Sequence, residues 1–309
     1  MKLETKNTGI RDGRPQQKGQ LLEQRIEQAH AMLASCHLCP RCCGVNRLKN
    51  EIGVCGVGRH AQVASFGPHM GEESCLVGRH GSGAVFFAGC NLRCAFCQNW
   101  DIAHRTHVSQ EVSADALAKI FLSIHHLGCH NLNLVTPTHV LPQILEALPV
   151  VLEGGFDLPI VWNCGGYESV AALELLDGIV DIYMPDIKFF DKELARRYLN
   201  APDYPDICME AFKEMHRQVG DLIVENSMAK SGMLVRHLAM PNAGDDAAKI
   251  MSFLKSLSVN TAVNVMNQYH PCHEAVGDAQ IGTVSHGNDL QRAREAAVRN
   301  GLRRVDQWE

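Results

Sequence analysis

The feature that most constrains this chain is a short loop with three cysteines. Cys90, Cys94 and Cys97 form a C-x3-C-x2-C array directly after the apolar run 84–88, which predicts a buried strand. Thiolates are soft ligands that suit iron–sulfur clusters and zinc, and clusters are usually held by four of them. A loop that offers three thiols therefore predicts a 4Fe–4S cluster with one iron open to a further ligand.

The same array is compatible with less specific roles for the three thiols. The chain contains 13 cysteines in 309 residues, so some close spacings arise by chance. The three thiols could be buried apolar side chains, or they could form part of a zinc site. The strand before the loop and the aromatic Phe96 just before the last cysteine both favour the cluster.

The array with Phe96 resembles the signature of the radical S-adenosylmethionine (SAM) enzymes. Four further runs together resemble one branch of that superfamily, the pyruvate formate-lyase activating enzyme-like proteins. These runs are residues 39–47, 81–87, 133–139 and 183–188. The resemblance extends over most of the chain from Cys36 to Cys272.

An α/β fold is predicted by the alternation of strand-like and helix-like segments. Six strand-like runs occur at 84–88, 131–136, 159–163, 179–184, 234–239 and 261–266. Strands that alternate with helices predict parallel βαβ units. The resemblance implies a partial (β/α)6 TIM-like barrel. Active sites of such folds lie at the carboxyl ends of the strands, where the cysteine loop would also lie.

The resemblance also implies an activity. A reduced 4Fe–4S cluster on the three cysteines would pass one electron to SAM, and a 5′-deoxyadenosyl radical would abstract hydrogen from an unidentified substrate. That substrate could be a glycyl-radical enzyme or another protein or peptide. An external one-electron donor such as flavodoxin or ferredoxin is implied. The alternative from another class is a non-catalytic iron–sulfur or zinc protein with a redox or metal-binding role.

Candidate SAM contacts follow the predicted strands. Relatives often have a Gly-Gly-Glu-like run after the second strand, whereas this chain has Thr136-Pro137-Thr138. Asp186 and Lys188 resemble the Asp-x-Lys run of activating enzymes. Phe96 is expected to pack on adenine, and Arg236 to bind the SAM carboxylate. The full candidate set is Phe96, Thr136, Thr138, His139, Asn163, Asp186, Lys188, Arg236, Gln268 and Tyr269.

A second group of cysteines precedes the barrel. Cys36, Cys39, Cys43 and Cys55 occur among turn-forming prolines and glycines in a segment that has little apolar surface. Four thiolates at such spacing could close a tetrahedral zinc site or hold an auxiliary iron–sulfur cluster. Reduced, unligated thiols are the third interpretation.

These patterns divide the chain into four segments. We predict a mobile tail (1–20), an N-terminal helix with the cysteine-rich module (21–80), the radical SAM barrel (81–275) and a C-terminal helical extension (276–309). His69, Glu72 and Glu73 fall in the lead-in to the barrel. They could line a substrate mouth or lie in a solvated loop, and we favour the solvated loop.

Composition narrows the classes of partner and the compartment that we expect for this chain. The net charge is −5, which speaks against a nucleic-acid partner. The N-terminus lacks an apolar signal core, and no run is long enough to cross a membrane. Because free thiolates persist in a reducing compartment, we expect a cytoplasmic protein without a membrane partner.

Overall fold

The computed structural model describes residues 15–243 and 245–308. Its α-helices are α1 Pro15–Ala34, α2 Ser74–Val77, α3 Trp100–Ala103, α4 Ala114–His126, α5 Leu141–Glu153, α6 Val170–Glu174, α7 Lys192–Leu199, α8 Tyr204–Val219, α9 Asp246–Leu257 and α10 Gly287–Arg299. Its strands are β1 Ala61–His69, β2 Ser82–Phe87, β3 Gln110–Val112, β4 Leu132–Val135, β5 Ile160–Cys164, β6 Ile182–Pro185, β7 Ile223–Glu225, β8 Met228–Leu238, β9 Ala262–Met266 and β10 Arg304–Val305.

A single sheet organises the described residues. The strand order is β10-β9-β8-β6-β5-β4-β2-β1-β3, with β7 paired to β8. Along this order the neighbours from β2 to β10 run parallel. Strand β1 pairs antiparallel with both β2 and β3, and β7 pairs antiparallel with β8. All six strands predicted from sequence are present in this parallel run, which confirms the mixed α/β fold. The antiparallel strand β1 was not predicted.

Apolar residues of the parallel strands alternate between two hydrophobic clusters. One face packs against the helices in the main core. The opposite face forms a smaller cluster with α2, and its members are Cys75, Leu76, Val161, Ile182, Met184, Leu222, Ala229, Leu234 and Ala262. The segment after β1, which contains α2, therefore crosses one face of the sheet to reach β8. It does not stay beside β2, the strand that pairs with β1.

Close helix–sheet packing is visible at β2 and α4. Ser113 begins α4, and its side chain accepts a hydrogen bond from the Ala116 amide at 3.3 Å. A Cβ atom on Gly83 would lie 2.1 Å from Ile124 Cγ2. Only glycine therefore lets α4 approach β2 this closely.

The first helix differs from the sequence prediction. Helix α1 begins at Pro15, inside the segment predicted as a tail, and residues 1–14 of that prediction lie outside the described residues. Helix α1 packs on α5, and Arg25 donates to the Asp177 carbonyl at 2.6 Å. In the described part of the chain, no helix is both long and apolar enough to span a membrane.

Candidate active site

A cavity of about 730 Å³ lies where the parallel strands end. Each strand from β2 to β9 in the parallel run contributes its last residues. Those residues include Phe87, Thr136, Asn163, Cys164, Asp186, Arg236, Leu238, Asn264 and Met266. The carboxyl ends of parallel strands meet at one edge, and this is where α/β folds bind ligands.

All three cysteines of the loop after β2 line this cavity. Gly89 makes the turn out of the strand with φ +82°, and a Cβ atom there would lie 2.4 Å from the Cys55 carbonyl oxygen. The Cys90 amide donates to that same carbonyl at 3.3 Å. The loop is thus held against the N-terminal segment by its own backbone.

Two thiols of the loop, those of Cys94 and Cys97, are strongly desolvated. Burial raises the pKa of Cys94 to about 12 and also raises that of Cys97. Soft thiols that share one cavity are suitable ligands for an iron–sulfur cluster, which binds them as thiolates. The donor set therefore fits the cluster that the sequence predicts.

Arg41 fixes the shape of the cysteine loop from outside the cavity. Its guanidinium donates to the carbonyls of Asn91 at 2.7 Å and Leu92 at 3.2 Å. The same group donates to the carbonyls of Leu199 at 2.9 Å and Asn200 at 2.5 Å, at the end of α7. A cation at the carboxyl end of a helix satisfies carbonyls that have no helical partner. Arg41 therefore joins the loop to α7.

Asp186 and Lys188 meet in the cavity as the sequence suggests. Lys188 Nζ lies 2.8 Å from Asp186 Oδ2. Burial opposes the charge of Lys188, but the carboxylate of Asp186 outweighs it, and the pKa of Lys188 lies above its ordinary value. The pair presents a fixed ionic group beside Cys94.

Four other SAM candidates also line the cavity: Phe96, Thr136, Asn163 and Gln268. The Phe96 ring packs edge-on against Phe189 with centroids 5.7 Å apart. Thr136 has φ +59°, a costly conformation for a β-branched residue, and its amide donates to the Asn163 carbonyl at 2.8 Å. The turn after β4 is therefore held by its neighbour β5.

Three SAM candidates lie outside the cavity lining: Thr138, His139 and Tyr269. His139 donates from Nε2 to the Ala88 carbonyl at 2.8 Å, and burial lowers its pKa to about 4. The Tyr269 hydroxyl donates to the Ile281 carbonyl at 2.6 Å. The polar groups of His139 and Tyr269 are thus directed to backbone carbonyls of the protein.

Thr138 bonds instead to a buried acid that the sequence did not mark as a candidate. Its hydroxyl donates to Glu168 Oε1. Burial raises the pKa of Glu168 from 4.5 to about 7, although the Thr138 hydrogen bond lowers it. Glu168 therefore titrates near neutral pH inside the protein.

Arg236 lies in the cavity wall but is occupied by two carboxylates. Its Nε donates to Glu73 Oε1 at 2.9 Å and its Nη2 to Glu73 Oε2 at 2.5 Å. Nη2 also contacts Glu72 Oε2. Burial disfavours ionisation of Glu73, but the charge and hydrogen bonds of Arg236 outweigh it, so the pKa of Glu73 lies below its ordinary value.

The expectation of a solvated loop at residues 69–73 is wrong, because this ion pair buries two of its side chains. The side chains of Glu72 and Glu73 are only 7% and 3% exposed, and both line the cavity together with His69. The sequence signal was the pair of acids one residue before the apolar run Cys75-Leu76-Val77. That run buries α2 against β8.

The C-terminal segment supplies a further wall that was not predicted from the sequence. Strand β10 pairs parallel with β9, and Asp306 and Trp308 after it line the cavity. Arg294 of α10 lines it as well and donates from Nε to Asp306 Oδ2 at 2.6 Å. The predicted extension therefore contributes to the site.

The four N-terminal cysteines gather near the cysteine loop. Burial is the main cause that raises the pKa of Cys39 to about 12, and the neighbouring thiols of Cys55, Cys36 and Cys43 contribute to that rise. Among the described residues, no three His, Cys, Asp or Glu side chains are arranged to hold one metal ion. A metal at these cysteines stays a prediction.

Comparison with known proteins identifies the family of the central domain. Residues 84–231 match the family model of the radical SAM superfamily, a region that includes the cysteine loop and strands β4 to β6. An uncharacterized protein of Methanocaldococcus jannaschii is 33% identical over 297 residues, which cover 92% of this chain and 80% of the relative. Residues 84–231 therefore form a radical SAM superfamily domain.

Proposed function

We propose that this chain is a radical SAM enzyme whose Cys90, Cys94 and Cys97 hold a 4Fe–4S cluster. The observation that carries the proposal is the position of all three cysteines on one loop at the cavity formed by the strand ends. When bound, a reduced cluster would supply one electron to SAM, whose C5′–S bond would break to give methionine and a 5′-deoxyadenosyl radical that takes a hydrogen atom from the substrate.

In this proposal, side chains of the cavity bind and orient SAM. Phe96 supplies an apolar wall for adenine, and Lys188 and Asp186 supply a charged pair beside the cysteine loop. Thr136, Asn163 and Gln268 offer further polar contacts from three strand ends. Arg236 is not part of this set, because two carboxylates already occupy its guanidinium.

The same proposal includes the barrel, the class of substrate and the electron donor. Strands β2, β4, β5, β6, β8 and β9 would form the partial (β/α)6 barrel, which is supported by their parallel order and shared cavity. Resemblance to the activating enzyme-like branch supports a protein or peptide substrate, such as a glycyl-radical enzyme. Radical SAM enzymes need an electron donor, and flavodoxin or ferredoxin would serve here.

The test is anaerobic reconstitution with iron and sulfide, followed by dithionite reduction with SAM and measurement of 5′-deoxyadenosine. We expect the wild type to form this product and Cys94→Ala to form none. Cys129→Ala is the matched control, because Cys129 is a buried thiol that does not line the cavity. A wild-type protein that carries the reduced cluster and binds SAM without cleaving it, with or without candidate substrates, would instead support the non-catalytic metal-binding alternative.

A further inference from the structure

Five cysteines lie close together in the N-terminal segment, and four of them are shielded from solvent. Cys36, Cys39 and Cys55 are buried and Cys43 is half-buried, whereas Cys42 is exposed. The Cys42 backbone has φ +41°, and its amide donates to the Cys39 carbonyl at 3.0 Å. A tight turn thus accompanies the exposure of one thiol, while its sequence neighbour and the other three are kept inside.

The backbone brings the four shielded cysteines together. The Gly44 amide donates to the Cys36 carbonyl at 3.0 Å, so the residues around Cys36 and Cys43 lie side by side. Gly53 packs so closely on Cys43 that a Cβ atom there would lie 2.6 Å from the Cys43 sulfur. The stretch that leads to Cys55 is therefore held against Cys43.

The four thiols are close enough to interact electrostatically. Burial is the main cause that raises the pKa of Cys55, and the thiols of Cys36 and Cys43 contribute to that rise. The thiol of Cys39 interacts in the same way with the other three. Thiolates this close repel one another, and a metal cation that binds them together removes the repulsion.

A buried cation without a counter-charge lies beside this group. Arg47 is only 1% exposed, and its charge opposes the rise that burial causes in the pKa of Cys55. Its Nε donates to the Gly58 carbonyl at 3.0 Å and its Nη1 to the His139 carbonyl at 2.8 Å. Within residues 15–243 and 245–308, its Nη2 is buried without a hydrogen-bond partner, and no carboxylate forms an ion pair with it. A buried guanidinium is costly unless an anion compensates it.

We propose that Cys36, Cys39, Cys43 and Cys55 bind a metal centre as thiolates and that Arg47 compensates the negative charge of this centre. Zinc and a 4Fe–4S cube both carry a net negative charge when four thiolates hold them, so either would supply the anion that Arg47 lacks. The inference goes beyond the proposed function, because none of these five residues lines the cavity at the strand ends.

Metal binding would require the thiols to turn towards a shared centre. Among the described residues, no three His, Cys, Asp or Glu side chains are arranged to hold one metal ion, and this applies equally to Cys90, Cys94 and Cys97. The two groups of cysteines are therefore alike in this respect.

The test first removes the cysteine loop as a metal site. The full chain that carries Cys90→Ala, Cys94→Ala and Cys97→Ala is reconstituted anaerobically with iron and sulfide or, separately, with zinc alone, and its metal content is measured. We expect about four irons or about one zinc per chain. Either result supports the proposal, and the metal that the protein retains through anaerobic purification identifies the centre. Less than stoichiometric metal in both arms would overturn it.

Variants in this background decide which thiols are responsible. Cys39→Ala combined with Cys55→Ala should abolish metal binding. Cys42→Ala is the matched control, because its thiol is exposed, and it should leave binding unchanged. Retention of the metal by the double variant would assign it to another part of the chain and overturn the proposal.

The role of Arg47 is tested through its charge. Arg47→Gln keeps a donor for the carbonyls but removes the charge, and it should weaken metal binding about tenfold, as loss of a group that supports metal ligands does. Arg47→Lys should weaken it less, and Lys49→Met, which removes an exposed cation, should leave it unchanged. Equal affinity in Arg47→Gln and Lys49→Met would show that Arg47 does not compensate the centre. Circular dichroism confirms that each variant is folded, and the metal content of the first experiment tests the site without any change at Arg47.

Discussion

Arg41 Nε donates a hydrogen bond of 2.7 Å to the backbone carbonyl of Asn91, fifty positions later in the chain. Asn91 directly follows the first cysteine of the loop. The same guanidinium lies 5.2 Å from the centre of the Tyr167 ring. One N-terminal side chain therefore determines how the cysteine loop, α7 and the turn after β5 fit together.

Replacement of Arg41 should loosen the cysteine loop. Arg41→Ala removes donors to four carbonyls, so we expect a loss of about 2–4 kcal/mol of unfolding free energy and less iron per chain after reconstitution. Chemical denaturation and iron analysis measure the two effects. Arg196→Ala is the control, because Arg196 forms an exposed pair with Glu193 three residues away. Equal iron loading in both variants would contradict the prediction.

Glu168 should make stability depend on pH. Its pKa is about 7 in the folded protein against 4.5 ordinarily, so folding retains a proton that the unfolded chain releases. Stability is therefore fully present below pH 4.5 and falls by about 3 kcal/mol as pH rises towards 7. Urea unfolding at several pH values should show this fall in the wild type and a smaller one in Glu168→Gln. Glu210→Gln, in an exposed ion pair, should follow the wild type.

Removal of Arg236 should be strongly destabilising. Arg236→Met leaves two buried carboxylates without their cation, at a cost of about 3–5 kcal/mol in unfolding free energy. Arg217 provides the matched control, because it also bridges two carboxylates, Asp177 and Glu214, but is 56% exposed. We expect Arg217→Met to cost about 1 kcal/mol or less. Similar losses in thermal or urea unfolding would show that burial of the Arg236 group is unimportant.

Metal analysis should detect any metal that the second group of cysteines binds. If Cys36, Cys39, Cys43 and Cys55 bind a metal, the protein should hold about one zinc or about four irons beyond the cluster at the cysteine loop. The double variant Cys39→Ala/Cys55→Ala should lose that amount. Cys208→Ala, a buried core thiol, should keep it. Unchanged metal content in the double variant would favour unligated thiols.

The parallel strands were predictable because they are buried on both faces. The run 131–136 predicted β4, for example, and all four residues of Leu132–Val135 are buried. Strand β1 was not predicted, since its second half mixes exposed and half-buried residues without a clear apolar period. Local sequence patterns thus found the strands that form the core and missed the antiparallel strand β1, which lies between β2 and β3.

Local sequence patterns also predicted only some of the residues that line the cavity. Cys90, Asn163 and Asp186 could be predicted because parallel strands end at one edge of a sheet, and each follows or closes such a strand. The pairing of Glu73 with Arg236 could not, because it joins positions 163 residues apart through the packing of α2 on β8. Trp308 was missed for a related reason, since its position depends on the short pairing of β10 with β9.

Two walls of the cavity come from segments on either side of the region that matches the superfamily, namely residues 69–73 and 304–308. The loop that would generate the radical lies wholly inside that region. If the proposed function holds, these two walls and the loop that generates the radical are encoded in separate stretches of sequence. Under that proposal, relatives could acquire new substrates by divergence of the flanking segments, and exchange of those segments between relatives would offer a route to redirect the reaction while the cysteine loop stays unchanged.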